Sequence, residues 1–214
     1  MRSSPEPESK KPPYLVHTTQ LPLSALEHRP HPIDGANFRY QVSLGDSTGL
    51  TRLGVHYCRL PAGATSTTLH WHSHEDEWFY VLQAGDGARL LVWEPDEHSS
   101  SGGRGGGEEI TPREERVQAG DFVGFKAGVR RAHAFRAGEE EEMVYLVGGS
   151  REPLDVSHYP TAGKRQVVDL TGPDLDVGSW TVEEKEVKPS GRRPPRPLTV
   201  TDSICVEGGE EERK

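Results

Sequence analysis

Cysteine is almost absent: Cys58 and Cys205 are the two in 214 residues. Two cysteines so far apart exclude a disulfide framework and fit a reducing, cytoplasmic setting. Long apolar runs are missing too. No stretch approaches the ~18 residues of a membrane span, and the polar, Pro-rich start from Met1 to Pro13 lacks the apolar segment of a secretory signal. Positive charge is outweighed, with 25 Lys and Arg against 34 Asp and Glu and a net charge of −9. Neither a nucleic-acid backbone nor an anionic membrane is an expected partner. Hydrophobic residues reach only 32%, with a mean hydropathy of −0.71. A compact core flanked by polar segments is therefore expected.

What the chain has in quantity is turn formers, 24 Gly and 17 Pro. From Phe38 onward short apolar runs recur between them: Leu53 to Leu60, Trp78 to Leu82, Leu90 to Trp93, Phe122 to Phe125, Ala132 to Phe135 and Met143 to Val147. That rhythm predicts an all-β sandwich or barrel, and no apolar stripe at helical spacing competes with it. Residues 1–13 read as disordered. Residues 14–37 read as an N-terminal arm lying on the domain, with one helical turn near Ser24 to Glu27. The barrel is expected over 38–160, a C-terminal extension over 161–187 with a further strand at Val167 to Leu170, and a disordered tail over 188–214. The polar segment from Glu94 to Arg116, rich in Ser and Gly, reads as a loop between two strands, flexible over 96–112. Glu139 to Glu142 reads as a solvated hairpin tip.

Three of ten histidines fall together, at His70, His72 and His74. Strand residues two apart share a face, so His70 and His72 present two imidazoles side by side. Imidazole ligates Zn, Cu, Fe and Ni. Ser73 to Asp76 suits a turn, so Glu77 opens the next antiparallel strand and faces back toward the pair. On that strand Glu77, Phe79 and Val81 share one face, and Trp78, Tyr80 and Leu82 the other. An alternative pair, His72 with His74, leaves only two residues before Glu77.

These residues resemble the first motif of the cupin superfamily, G-x5-H-x-H-x(3,4)-E-x6-G, with His70-Trp71-His72 and, four residues on, Glu77 to Gly85. The second motif, G-x5-P-x-G-x2-H-x3-N, is similar to Gly120 to Gly128 followed by His133. Lys126 stands at the motif Pro, four residues separate Gly128 from His133, and Ala137 stands at the motif Asn. The resemblance implies a double-stranded β-helix, or jelly-roll barrel. It also implies four ligands for one divalent ion (Fe, Mn, Zn, Ni or Cu): His70, His72, Glu77 and His133.

Three imidazoles and one carboxylate leave open positions on an octahedral ion, room for water, O2 or a small-molecule substrate. The resemblance embraces dioxygenases, decarboxylases, isomerases and lyases. The leading expectation is an O2-using oxidoreductase; a metal-dependent isomerase or lyase, or a ligand-binding module without catalysis, are the alternatives. His74 is the candidate acid or base at the rim. Phe79, Val81 and Phe135 are expected to line the pocket, and Arg130 and Arg131 to receive a substrate carboxylate. Trp78, Tyr80 and Leu82 are too apolar to face water as a strip. The second sheet, the arm or a second subunit must cover them, and a homodimer is the expected assembly.

Overall fold

The computed structural model describes residues 13–95, 110–171 and 178–188. The readings for 1–12, 96–109 and 189–214 lie outside the described residues. The arm holds two short 3-10 turns, Thr18–Gln20 and Leu23–Ala25, and then strand β1 (Glu27–Pro30). The turn expected at Ser24 to Glu27 thus starts one residue earlier and ends at Ala25, because Glu27 is already paired in β1. Strand β2 (Phe38–Ser43) runs into the short helix α1 (Leu44–Thr48), whose Ser43 side chain accepts the Asp46 N–H as an N-cap. There follow β3 (Leu53–Leu60), β4 (Trp71–His72), β5 (Glu77–Gln83), β6 (Arg89–Trp93) and β7 (Arg113–Arg116). The remainder are β8 (Phe122–Phe125), β9 (Ala132–Arg136), β10 (Met143–Ser150), β11 (Leu154–Tyr159), β12 (Lys164–Asp169) and β13 (Ser179–Glu183). Strand β7 falls where a loop was expected. All four of its side chains are exposed, so no apolar alternation marks it, and backbone pairing with β6 holds it.

Two layers face each other in a jelly roll. One is a six-stranded antiparallel sheet, β1-β2-β3-β10-β5-β8. The other consists of β7-β6-β9 and β13-β12-β11-β4. The segment from Ala64 to His72 stitches those two pieces together: His70 bridges His133 on β9, and His72 pairs with Ser157 on β11. Glu77 therefore does not lie in the sheet of the histidine pair. Strand β5 belongs to the opposite layer, and Glu77 faces the imidazoles across the barrel.

The core between the layers is made by alternate residues of these strands, among them Cys58, Leu60, Phe79, Val81, Leu90, Phe135, Met143 and Tyr145. A smaller cluster of Leu69, Leu91, Ala132 and Ala134, flanked by Trp71 and Trp93, lies on the alternate, outer side of the second layer. The six-stranded sheet turns Trp78, Tyr80 and Leu82 outward. The arm does not reach this strip, because β1 pairs with β2 at the far edge. Tyr80 and Leu82 each remain 40% exposed, and neighbouring Phe122 67%. Trp78 is better covered. It stacks on Phe122 and lies over Gly148, where a Cβ would stand 2.4 Å from the indole. Only glycine allows that approach.

Candidate metal centre

The side chains of His70, His72 and His133 gather around Glu77. Glu77 Oε2 lies 2.7 Å from His133 Nε2, 3.7 Å from His70 Nε2 and 3.8 Å from His72 Nε2. The His70, Glu77 and His133 ligand atoms all lie within 4.8 Å of one another. All four residues are largely buried, His133 at 1% exposure. The cross-strand bridge makes His70 and His133 direct neighbours, with ring centroids 4.8 Å apart. His72 follows two residues on, its ring 5.0 Å from that of His70.

The far nitrogen of each ring is engaged. His70 Nδ1 meets the Thr68 carbonyl at 3.0 Å, and His72 Nδ1 meets Asp155 Oδ2 at 2.6 Å. His133 Nδ1 faces the Arg131 carbonyl at 3.3 Å. Acceptors at Nδ1 favour a proton there and turn each Nε2 toward Glu77; the 2.7 Å contact of His133 Nε2 with Glu77 is a hydrogen bond whose proton a bound metal would displace. This is the outer-shell arrangement that orients metal-ligating histidines. Phe125 lies flat on the His133 ring, 3.6 Å away at 9°. Gly128, at φ 75°, makes the turn that brings its N–H to the His72 carbonyl at 2.9 Å, tying the β8–β9 connection to β4.

Charge balance suits a cation. Burial alone would raise the Glu77 carboxyl, but the hydrogen bond from His133 and the charges of the three histidines hold it far below the usual range. Burial, with His133 beside it, pushes His70 well below its ordinary value. Burial would lower His72 too, yet the Asp155 hydrogen bond and the Glu77 charge lift it to about 9. Asp155, despite burial, is drawn down to about 2 by His72. His70, Glu77 and His133 offer two nitrogens and a carboxylate oxygen that fit a divalent ion, and His72 Nε2 stands beside them, 3.8 Å from Glu77.

Beside these residues opens a cavity of about 260 Å3, at the small end of metabolite pockets (~300–1,000 Å3). Phe79 lines it, as expected. Val81 and Phe135 do not: they sit in the core at 0% and 1% exposure, Phe135 packed on Phe79 and Tyr145. Facing inward places a side chain between the layers, but the cavity occupies only part of that space. His74 is not among the residues lining the cavity; its side chain is 52% exposed and its Nδ1 lies 3.8 Å from Asp155. Arg130 and Arg131 are exposed and line no part of this cavity. Arg131 pairs with Glu94, and Arg130 borders a separate hollow beside Trp71, Trp93 and His158. Arg131 also borders a small separate hollow against His72, Glu77 and His133, whereas Arg130 does not.

Several lining residues come from segments with no motif. His31 and Arg29 belong to the arm, Arg39 to β2, and Ser157 and Tyr159 to β11. Burial and the nearby Arg39 charge hold His31 at about 4. Its Nδ1 accepts the Ile33 N–H at 3.3 Å, so the neutral ring carries its proton on Nε2. Tyr159 stacks on His70 with centroids 5.7 Å apart and donates its hydroxyl to Gln166. A signal for β11 was present in Asp155, Ser157 and Tyr159, polar groups alternating on one face of a strand whose inward side is buried.

No protein-family model and no curated protein matches the sequence. Solved structures do. A protein from Acidithiobacillus ferrooxidans, named provisionally as a sugar phosphate isomerase, is 26% identical over 82% of this chain and 95% of its own, with a TM-score of 0.60. A structure from Silicibacter pomeroyi, described as a sugar phosphate isomerase from a cupin superfamily, is 25% identical over 80% of this chain and 97% of its own, with a TM-score of 0.56.

Proposed function

We propose that this chain, a member of the cupin superfamily by its fold and its structural relatives, is a metal-dependent isomerase or lyase acting on a small, oxygen-rich molecule. The observation that carries the reading is the meeting of three Nε2 atoms and Glu77 Oε2 at the wall of a cavity lined by protic groups. A divalent ion held there supplies Lewis-acid polarisation of a carbonyl or hydroxyl oxygen. The chain's own groups do the rest. Asp155 keeps His72 aimed, Thr68 and Arg131 do the same for His70 and His133, and Phe79 and Val147 provide apolar wall. His31, neutral and carrying its proton on Nε2, is the group placed to exchange a proton with substrate. Ser157 offers a hydroxyl to substrate oxygens.

The isomerase or lyase reading is preferred to the O2-using oxidoreductase on two grounds. Arg39, His31, Ser66, Thr67, Ser157 and Tyr159 line the cavity, a setting for hydroxyls and transferred protons. The two structures above, moreover, are described as sugar phosphate isomerases, so aldose–ketose interconversion is the specific reaction to try first. The test is metal analysis of protein purified without a metal-affinity tag, then incubation with phosphorylated aldoses and ketoses, following products by NMR and O2 with an electrode. Turnover without O2 uptake, lost on chelation and restored by metal, is expected. O2 consumption matching product would overturn the reading.

A further inference from the structure

The cavity has a second charged pole. Arg39 reaches into it from β2, half-buried, with Nε donating to Gln41 Oε1 at 2.8 Å and an η-nitrogen to the Ser66 carbonyl at 3.4 Å. Among the described residues no carboxylate pairs with it. Arg52, Arg89 and Arg130 lack one too, but none of them lines this cavity. Arg59, Arg113, Arg116, Arg136, Arg151 and Arg165 each hold an acidic partner near the surface. The chain has acid to spare, at net charge −9, yet leaves this guanidinium without any. The one acidic residue lining the cavity is Glu77, already gathered by three histidines. Withdrawing a cation from water without a counter-charge is costly, and the cost is offset when an anion arrives.

The two poles stand on different rows of the sheet, although the Glu77 charge still reaches Arg39. The Glu77 row crosses the sheet through Gly149 and Gly54, whereas the Gln41 side chain that holds Arg39 belongs to the row of Cys58 and Tyr145. Four residues of β3 separate those rows, about 13 Å of strand at ~3.3 Å per residue. The apolar groups between them are Phe79 and Val147. A ligand that meets both poles carries its anion several bonds away from the oxygens that approach Glu77 and the imidazoles.

We infer that this cavity binds its ligand through an oxyanion, a carboxylate or a phosphate monoester, received by Arg39 at the second pole. The inference rests on the small-molecule reading above but makes its own demand. The planar guanidinium, steadied by Gln41 and Ser66, keeps further N–H groups to form paired bonds with an oxyanion. Arg29, also at the cavity wall, is already paired with Glu27 at 3.2 Å, so Arg39 carries the anion contact.

The test is direct binding of inorganic phosphate and of acetate to full-length protein, by calorimetry at low salt, with metal content measured on each sample. Wild-type protein should bind at least one of them saturably. Preference for phosphate marks a phosphate monoester and preference for acetate a carboxylate. Arg39→Gln should weaken binding about tenfold or more, the scale of a lost charge-assisted contact, while Arg130→Gln, outside the cavity, should bind as wild type does. If Arg39→Gln fails to fold, Arg39→Lys replaces it, with affinity expected to fall severalfold as the paired geometry goes. Unchanged affinity in a folded Arg39 variant, or no saturable binding by wild type, overturns the inference. Protein that lacks metal but binds the anion through Arg39 refutes the metal reading and leaves this one standing. Protein that holds metal and binds the anion independently of Arg39 does the reverse.

Discussion

His72 Nδ1 and Asp155 Oδ2 stand 2.6 Å apart, although 83 residues separate them in the chain. The contact spans the pairing of β4 with β11 and aims Nε2 of the same ring at Glu77. Asp155 also accepts the His74 N–H at 2.9 Å, so one carboxylate steadies both the ring and the turn that follows it. Asp155→Asn should leave the fold intact and weaken divalent-metal affinity about 10- to 100-fold, the usual cost of losing such a partner. Competition against a chelating dye measures it.

Alanine at His70, His72, Glu77 or His133 should each cost most of the bound metal. His74→Ala should not, because that side chain is half in solvent and points at Asp155 rather than Glu77. Elemental analysis of the five purified variants decides. If the four ligand variants keep stoichiometric metal, the constellation is wrong.

Metal-free protein should be most stable near pH ~6.5, the ordinary histidine value. Burial keeps folded His31 and His158 neutral down to about 4. Between there and 6.5 the unfolded chain binds protons that the folded one refuses, and stability falls as pH falls. Glu75, raised by burial to about 7, works the other way from its ordinary value upward, but His70 and His56, lowered by burial too, side with His31 and His158 against it. Above 6.5 the folded chain keeps a proton on His72, up to about 9, that the unfolded chain gives up. Stability must then decline as pH rises. Metal needs neutral His72, so loading below pH 9 should release a proton. Urea titrations across pH and an indicator dye during loading test both statements.

Phe135→Ala should destabilise the protein by about 3–5 kcal/mol, the range for emptying a packed aromatic site. Its ring sits 5.0 Å from that of Phe79 and 5.3 Å from that of Tyr145, at 1% exposure. Chemical denaturation gives the number. A Phe135→Leu variant should keep metal affinity near wild type, as befits a core residue off the cavity.

We propose that a second copy covers the outward strip. Tyr80, Leu82 and Phe122 stay exposed on one flat sheet face, and the arm is committed to the opposite edge. Full-length protein should sediment as a dimer at micromolar concentration, and Leu82→Arg should shift it to monomer without loss of metal.

The fold was legible because hydrophobic alternation is local. Leu53–Leu60 and Phe122–Phe125 appear in the structure as expected, and Glu77, Phe79 and Val81 share the inward face. The four clustered residues were legible because two short motifs carry them. Asp155, His31 and Arg39 were not. Their neighbours at the site are reached only when β11 pairs with β4 and the arm folds along β2, and no spacing along the chain encodes those meetings. Val81 and Phe135 mark the opposite limit. Their parity correctly turned them inward, but parity does not distinguish packed core from cavity wall.

The four clustered residues lie on or beside the barrel strands, whereas Arg29, Pro30 and His31 close the cavity from a strand paired only with β2. Part of the molecular fit is therefore encoded apart from the ion's ligands, although Arg39 on β2 and Ser157 and Tyr159 on β11 share in it. A lineage can rewrite the arm and meet a different substrate while inheriting the ion-holding half unaltered, so two proteins with identical histidine motifs need not share a reaction.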